Sequence, residues 1–230
     1  KDNKSQIIMD VGRPPEKKFS QSYQSGALSF EFSYLNNKII TNSGYFQKEK
    51  HQLNSMSRSS VAHSTLVVDD TSIVKFNNAI YGDKYVKKYF NIIRKKVIKD
   101  TDKWILQAAH DSYKKKYNII HERQIEFFSK KLLLRGKDIL EKKTKNLSYN
   151  FEIRFHILPE TRIMKTQDEK SILIDLNGEG WRFSCPGHLI HIETGLYFGR
   201  KNTFTENQNF FISGTTSNED QIIKWELNKI

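Results

Sequence analysis

Apolar residues recur at every second position along much of this chain. Leu28, Phe30, Phe32 and Tyr34 alternate with Ser29, Glu31 and Ser33. That period gives an extended backbone one apolar and one polar face, which is the pattern of a half-buried strand. Phe151, Ile153, Phe155 and Ile157 repeat it, with Glu152, Arg154 and His156 between them, until Pro159 stops the run. Segment 172–176 is more continuously apolar and meets Asn177-Gly178, a strong hairpin signal, with Trp181 and Phe183 following at strand spacing. Asn36-Asn37 is read as a tight turn that returns the chain along Lys38-Ile39-Ile40-Thr41.

Shorter strands are expected at 66–68, 104–108, 119–128, 132–135, 189–192, 196–198, 210–213 and 222–227. Many short strands, separated by Gly, Asn, Asp and Ser turns at roughly 8–12-residue spacing, predict an all-β fold: a large antiparallel β-sandwich. One stretch is ambiguous. Tyr85, Tyr89, Ile92, Ile93 and Val97 also fit the apolar stripe of an amphipathic helix. Residues 1–24 are polar and contain Gly12-Arg13-Pro14-Pro15, and read as a connection arriving from a preceding domain. Residues 25–230 then form a single β-domain.

Lys and Arg total 38 against 26 Asp and Glu, a net charge of +12. Such an excess favours acidic partners: nucleic acid, anionic polysaccharide or an anionic membrane surface. Cys185 is the single cysteine, which excludes an intrachain disulfide and a Cys-based metal centre. No apolar run approaches the ~20 residues of a membrane-spanning helix. The chain opens on Lys1 without a visible signal peptide, and is expected to be the back part of something longer.

Chemistry concentrates in Arg58-Ser59-Ser60-Val61-Ala62-His63-Ser64-Thr65, which leads into Leu66-Val67-Val68 and the acidic pair Asp69-Asp70. An imidazole entering a strand can bind a metal, move a proton, contact an anion or simply be packed. Arg58 and His63 flank small residues, and a guanidinium with an imidazole suits a carboxylate or sulfate. The other histidines form no dense ligand motif. His121 and His156 fit solvent-facing or sheet-pairing positions, and His110-Asp111-Ser112-Tyr113 reads as a turn closing a strand. No Gly-x-Ser-x-Gly elbow or phosphate-cradling glycine loop occurs.

Several segments together resemble the C-terminal β-domain of the heparinase II/III-like family of polysaccharide lyases. They are Ser25-Gly26-Ala27-Leu28-Ser29-Phe30-Glu31-Phe32, Ile40-Thr41-Asn42-Ser43-Gly44-Tyr45, residues 58–69, His110-Asp111-Ser112-Tyr113, Arg154-Phe155-His156 and Gly178-Glu179-Gly180-Trp181-Arg182-Phe183. The Ala-His-Ser-Thr element at 62–65 is the most specific of them. The resemblance implies a two-domain lyase, an N-terminal α/α toroid followed by this β-sandwich, that cleaves an anionic, uronate-containing polysaccharide by β-elimination at a site between the domains. It assigns His63 and Arg58 to the catalytic wall, with Gln24, Asn42 and Tyr45 binding substrate.

In several members the resemblance also implies a divalent metal, zinc or calcium. There the family carries a His-x-His pair and the Asp of an Asp-x-Gly turn, where this chain has Ser22, Gln24 and Asn42. His63 is the one retained candidate ligand, and one imidazole beside amides is a poor zinc site. The implied partners are the polysaccharide and the toroid, with neither nucleic acid nor a membrane span, and the implied location is the periplasm or cell envelope of a bacterium. Two other readings stand beside it: a non-catalytic carbohydrate-binding or structural module, which the departures from the family's ligand set favour, and nucleic-acid binding, which rests on charge and exposed tyrosines only.

Overall fold

The computed structural model describes residues 4–48, 50–77, 85–142 and 147–230. In chain order the first strands are β1 (Ser5–Met9), β2 (Phe30–Tyr34), β3 (Asn37–Ile40), β4 (Leu66–Val68), β5 (Ile92–Lys99), β6 (Trp104–His110), β7 (Ile119–Phe128) and β8 (Leu133–Lys142). The second half adds β9 (Asn150–Phe155), β10 (Arg162–Lys165), β11 (Ser171–Leu176), β12 (Glu179–Ser184), β13 (Ile190–Tyr197), β14 (Thr205–Thr215) and β15 (Gln221–Lys229). Two short α-helices, α1 (Gln52–Arg58) and α2 (Lys114–Tyr117), interrupt them.

An eight-stranded antiparallel sheet, ordered β10-β11-β12-β15-β8-β7-β6-β5, forms one layer. The sheets β13-β14-β9-β4 and β1-β2-β3 cover its inner face. The predicted alternation is what joins the layers. Phe32 on β2 meets Phe127 at 5.4 Å and Trp181 at 5.3 Å, and Phe30 stacks on Trp225 at 5.6 Å. Phe155 on β9 meets Phe183 at 4.6 Å and Trp225 at 5.1 Å. Each such ring removed from water contributes about 1.5–3 kcal/mol, with more from edge-to-face geometry. The antiparallel sandwich is as expected.

Local details differ from the sequence reading. The first hairpin turns at Leu35 and Asn36, whose φ angles are +47° and +66°, so Asn37 already belongs to β3. Asn177-Gly178 turns as predicted, with φ of +55° and +79°. The ambiguous 85–97 stretch contains no helix: Ile92–Lys99 is the edge strand β5, pairing with β6 and exposed along most of its length. Nothing covers both faces of that edge, so its side chains lack the one-sided burial that a strand pattern requires. Within the segment expected to lead in from another domain, Ser5–Met9 is a strand paired with β2. Residues 1–3 of that segment lie outside the described residues.

The histidines expected at solvent-facing or sheet-pairing positions, or at a turn, are all interior, and His121 is a sheet-pairing one. His110 and His121 are register partners on β6 and β7, and both are fully buried. His110 Nε2 lies 3.3 Å from His121 Nδ1, and His121 Nε2 lies 2.7 Å from Asp138 Oδ1. Arg123 Nε and Trp225 Nε1 donate to the same carboxylate at 2.8 Å and 2.9 Å. Burial opposes charge on Asp138, yet the Arg123 guanidinium and His121 hold its carboxyl well below the usual carboxylate range. Burial pushes His110 and His121 below their ordinary value, and pushes His156 down to about 3.

Two outcomes follow from this packing. A Cβ on Gly136 would lie 2.0 Å from the Trp225 ring, its register partner on β15. Gly136→Ala should therefore cost about 1–3 kcal/mol, read as a lower midpoint in urea denaturation, and an unchanged midpoint would show that the ring shifts freely. The histidines bind protons more weakly folded than unfolded. Stability should accordingly be complete above pH ~6.5 and fall as the pH drops below it, by several kcal/mol between pH 7.5 and pH 5. Parallel denaturation curves at those pH values check this, and equal stabilities would contradict it.

Candidate functional site

The site is built where three connections meet. The chain arriving from β1 passes through Tyr23-Gln24-Ser25-Gly26, β3 leads into Asn42-Ser43-Gly44, and α1 is followed by a single 3-10 turn, Ser60–Ala62, that delivers His63. Small residues make this crossing feasible. A Cβ on Gly26 would lie 2.5 Å from the imidazole Cδ2 of His63, so only glycine lets the ring lie flat there. Gly44, at φ +83°, sits against the Phe198 carbonyl, which a Cβ would approach to 2.7 Å. That contact pins the end of β13, and with it Tyr197, beside the site.

His63 is 5% exposed. Its Nδ1 lies 2.8 Å from the Ser59 carbonyl, which can only accept, so Nδ1 carries the proton. Nε2 is then the acceptor of a neutral ring, and Gln24 Oε1 lies 3.3 Å away, so turning the amide over places its NH₂ against Nε2. The NH₂ end of that amide is the one Nε2 requires. Burial lowers the His63 pKa to about 4, against a smaller opposing effect of the Ser59 hydrogen bond. At neutral pH the ring is uncharged and a weak base.

Asn42 accepts the Ser64 amide at Oδ1, 2.9 Å away, which fixes the turn against the His63 segment. Gln24, Asn42 and His63 thus share one cleft of about 370 Å³. Arg58 and Tyr45 do not line it. Arg58 is 2% exposed, donates from Nε to the Tyr23 carbonyl at 2.9 Å and from Nη2 to the Ser20 carbonyl at 3.0 Å, and lies 4.0 Å over the Phe76 ring. It emerges from the last turn of α1 toward the incoming loop and fastens the segment that presents Gln24. The Tyr45 hydroxyl accepts from Asn54 Nδ2 at 3.3 Å, against α1.

Alternation did not single out the cleft's remaining polar residues. Asp10, Glu31, Lys38 and Tyr197 also line it. Glu31 and Lys38 occupy polar positions of β2 and β3 and form an ion pair at 2.8 Å. Burial raises the Asp10 carboxyl above its ordinary value, partly offset by the Gly12 amide. The signal for Glu31 and Lys38 was present as the polar half of the hairpin pattern. Tyr197 carried none, because its place depends on the Gly44–Phe198 contact.

Among the described residues no three His, Cys, Asp or Glu side chains come together as a metal cluster. His63 Nε2 is committed to Gln24, Asn42 Oδ1 to Ser64, and Glu31 to Lys38. This donor set does not fit the zinc or calcium ion that the resemblance implies. No helix of the described residues is long and apolar enough to cross a membrane.

The placement of His63 makes its titration a direct check. A ¹⁵N-resolved NMR titration should find the Nδ1–H tautomer and a midpoint near 4, and Gln24→Glu, which sets a carboxylate beside Nε2, should raise that midpoint. A wild-type midpoint near the free-histidine value would contradict the buried, Gln24-bonded ring.

Comparison with known proteins bears on the whole chain. The family model described as "Heparinase II/III-like, C-terminal" matches residues 1–226. The heparan sulfate lyase HepC from Pedobacter heparinus superposes with a TM-score of 0.77 at 15% identity, over 97% of this chain and 32% of its own. Two structures described as heparinase III superpose at TM-scores of 0.72 and 0.73, with 15% and 13% identity, each over 98% of this chain and 33% of theirs. The chain therefore spans about a third of the length of these solved structures. No curated protein matches it by sequence.

Proposed function

The chain belongs to the heparinase II/III-like family, as its C-terminal domain, and from that premise we propose that it is the β-domain of a polysaccharide lyase acting on uronate-containing anionic polysaccharide. The solved relatives are named for heparan sulfate and heparin, and both present carboxylates along the chain. In the proposed reaction a base removes the C5 proton of a uronate, the C4–O bond breaks, and a C4=C5 double bond forms while an acid protonates the leaving oxygen. A preceding α/α toroid supplies the proton-transfer groups, and this chain forms the opposing wall. The proposed location is the periplasm or cell envelope.

The observation that carries this reading is the convergence of Gln24, Asn42 and His63, from separate parts of the sequence, on one polar cleft. His63, neutral and with its proton on Nδ1, is poorly matched to the base's task, since an efficient base has a pKa near the working pH. Its part is to orient Gln24. The amide keeps a donor and an acceptor to spare for a sugar hydroxyl or carboxylate. Arg58 acts one step further back as a positioning residue, holding the loop that carries Gln24.

The full-length gene product, incubated with heparan sulfate, heparin, chondroitin and alginate, should release unsaturated uronate, read by ultraviolet absorbance. Gln24→Ala should raise KM by about tenfold with a smaller effect on kcat, the pattern of lost substrate binding. Absence of product from every uronate polymer would reject the lyase reading and leave a carbohydrate-binding module. Unchanged KM in Gln24→Ala would remove this cleft from it.

A further inference from the structure

The His63 cleft is poor in positive charge. Its lysine, Lys38, is bound to Glu31, its histidine is neutral, and Asp10 adds a second carboxylate. A polyanion therefore needs its countercharge elsewhere. Lys38 and Tyr197 also line a larger cleft of about 840 Å³, between the β2–β3 turn, Glu160, Asn177 and the connection from β13 to β14. Thr203 and Phe204, on the far side of that cleft, in turn line a third, of about 770 Å³, with Lys48 and His51. Lys38 and Tyr197 thus link the first cleft to the second, and Thr203 and Phe204 link the second to the third, a series that we read as one groove.

The lining of this groove changes along its length. Tyr197 and Phe204 offer aromatic surface, and Phe204 is 52% exposed. Asn37 and Asn177, bonded to each other at 3.1 Å, offer amides at the rim. Arg200 and Lys48 are exposed, and among the described residues no carboxylate pairs with either. A sugar ring presents an apolar C–H face to an aromatic ring and an equatorial edge of hydroxyls to amides. Its carboxylate or sulfate suits a guanidinium or ammonium.

We propose that this groove is an extended binding platform for an anionic oligosaccharide, with Phe204 stacking on a sugar ring and Arg200 and Lys48 receiving its carboxylate or sulfate groups. The inference rests on the reading of the chain as a polysaccharide-lyase domain and adds the residues that hold a long substrate. It also locates the preference for anions in the groove instead of in the His63 cleft.

Binding separates this proposal from the catalytic one. The full-length protein is titrated with a fluorescently labelled heparan sulfate octasaccharide, with a disaccharide of the same polymer, and with a neutral dextran oligosaccharide as competitor. Phe204→Ala and Arg200→Ala should each weaken octasaccharide binding on the order of tenfold, the wild type should bind the octasaccharide more tightly than the disaccharide, and Arg200→Lys should recover part of the loss. Both side chains are exposed, so thermal midpoints should stay at the wild-type value; if Phe204→Ala unfolds, Phe204→Ser and Arg200→Gln replace it in the same titration. Wild-type affinity in the variants, no octasaccharide binding by the wild type, or equal competition by dextran would overturn the groove. Retained binding without lyase product would refute the catalytic reading alone.

Discussion

The buried ion pair of Arg123 and Asp138 ties the two layers of this domain to its site. Both residues project from the eight-stranded sheet and are fully buried, with Arg123 Nε 2.8 Å from Asp138 Oδ1. The guanidinium does not stop at the carboxylate. Its Nη1 donates to the carbonyls of Leu28 and Ser64, at 2.9 Å and 2.6 Å, on the opposite layer. Ser64 follows His63 directly, and Leu28 closes the glycine segment on which the imidazole rests. Leu28 sits at φ +58°, a region leucine avoids. Its amide donates to the Asp10 carbonyl at 2.8 Å while Arg123 holds its own carbonyl. Removing either charge would leave the other uncompensated in the interior, at a cost of about 3–5 kcal/mol.

With its backbone held in this way, the site is governed by neutral hydrogen bonding. Ser59 sets the tautomer of His63, that tautomer sets the orientation of Gln24, and Asn42 spends its oxygen on the Ser64 amide. Gln24 and Asn42 each spend an amide contact within the scaffold, on His63 and on Ser64. Positive charge is displaced outward, to Arg200 and Lys48 along the groove. The His63 cleft and the neighbouring, larger cleft share Lys38 and Tyr197 as lining residues.

Much of this was legible in residue order. The alternations at 28–34 and 151–157 named the strands and the rings that face inward, because a period of two commits each side chain to one face. Gln24, Asn42 and His63 were also readable as a group, through the resemblance to a family. Arg58 was not. Its spacing from His63 suggested a shared ligand, but the last turn of α1 aims it at the carbonyls of Ser20 and Tyr23. His121 was likewise ambiguous: an imidazole in an alternating strand has the same pattern whether water or Asp138 lies beyond it. The strand β5 gave a mixed signal because an edge exposed on both sides imposes no one-sided burial on its residues.

The sequence by itself determined the all-β class, the principal strands and their buried faces, and the identity of the amides around His63. These depend on local periodicity and on short motifs, which neighbouring residues carry together. Only the tertiary structure decided that His63 is neutral, that Arg58 and Arg123 serve carbonyls of the scaffold, and that Tyr197, Phe204 and Arg200 line one cleft. Charge state is set by burial and by partners distant in the chain, and a groove is formed by loops whose proximity no local pattern encodes.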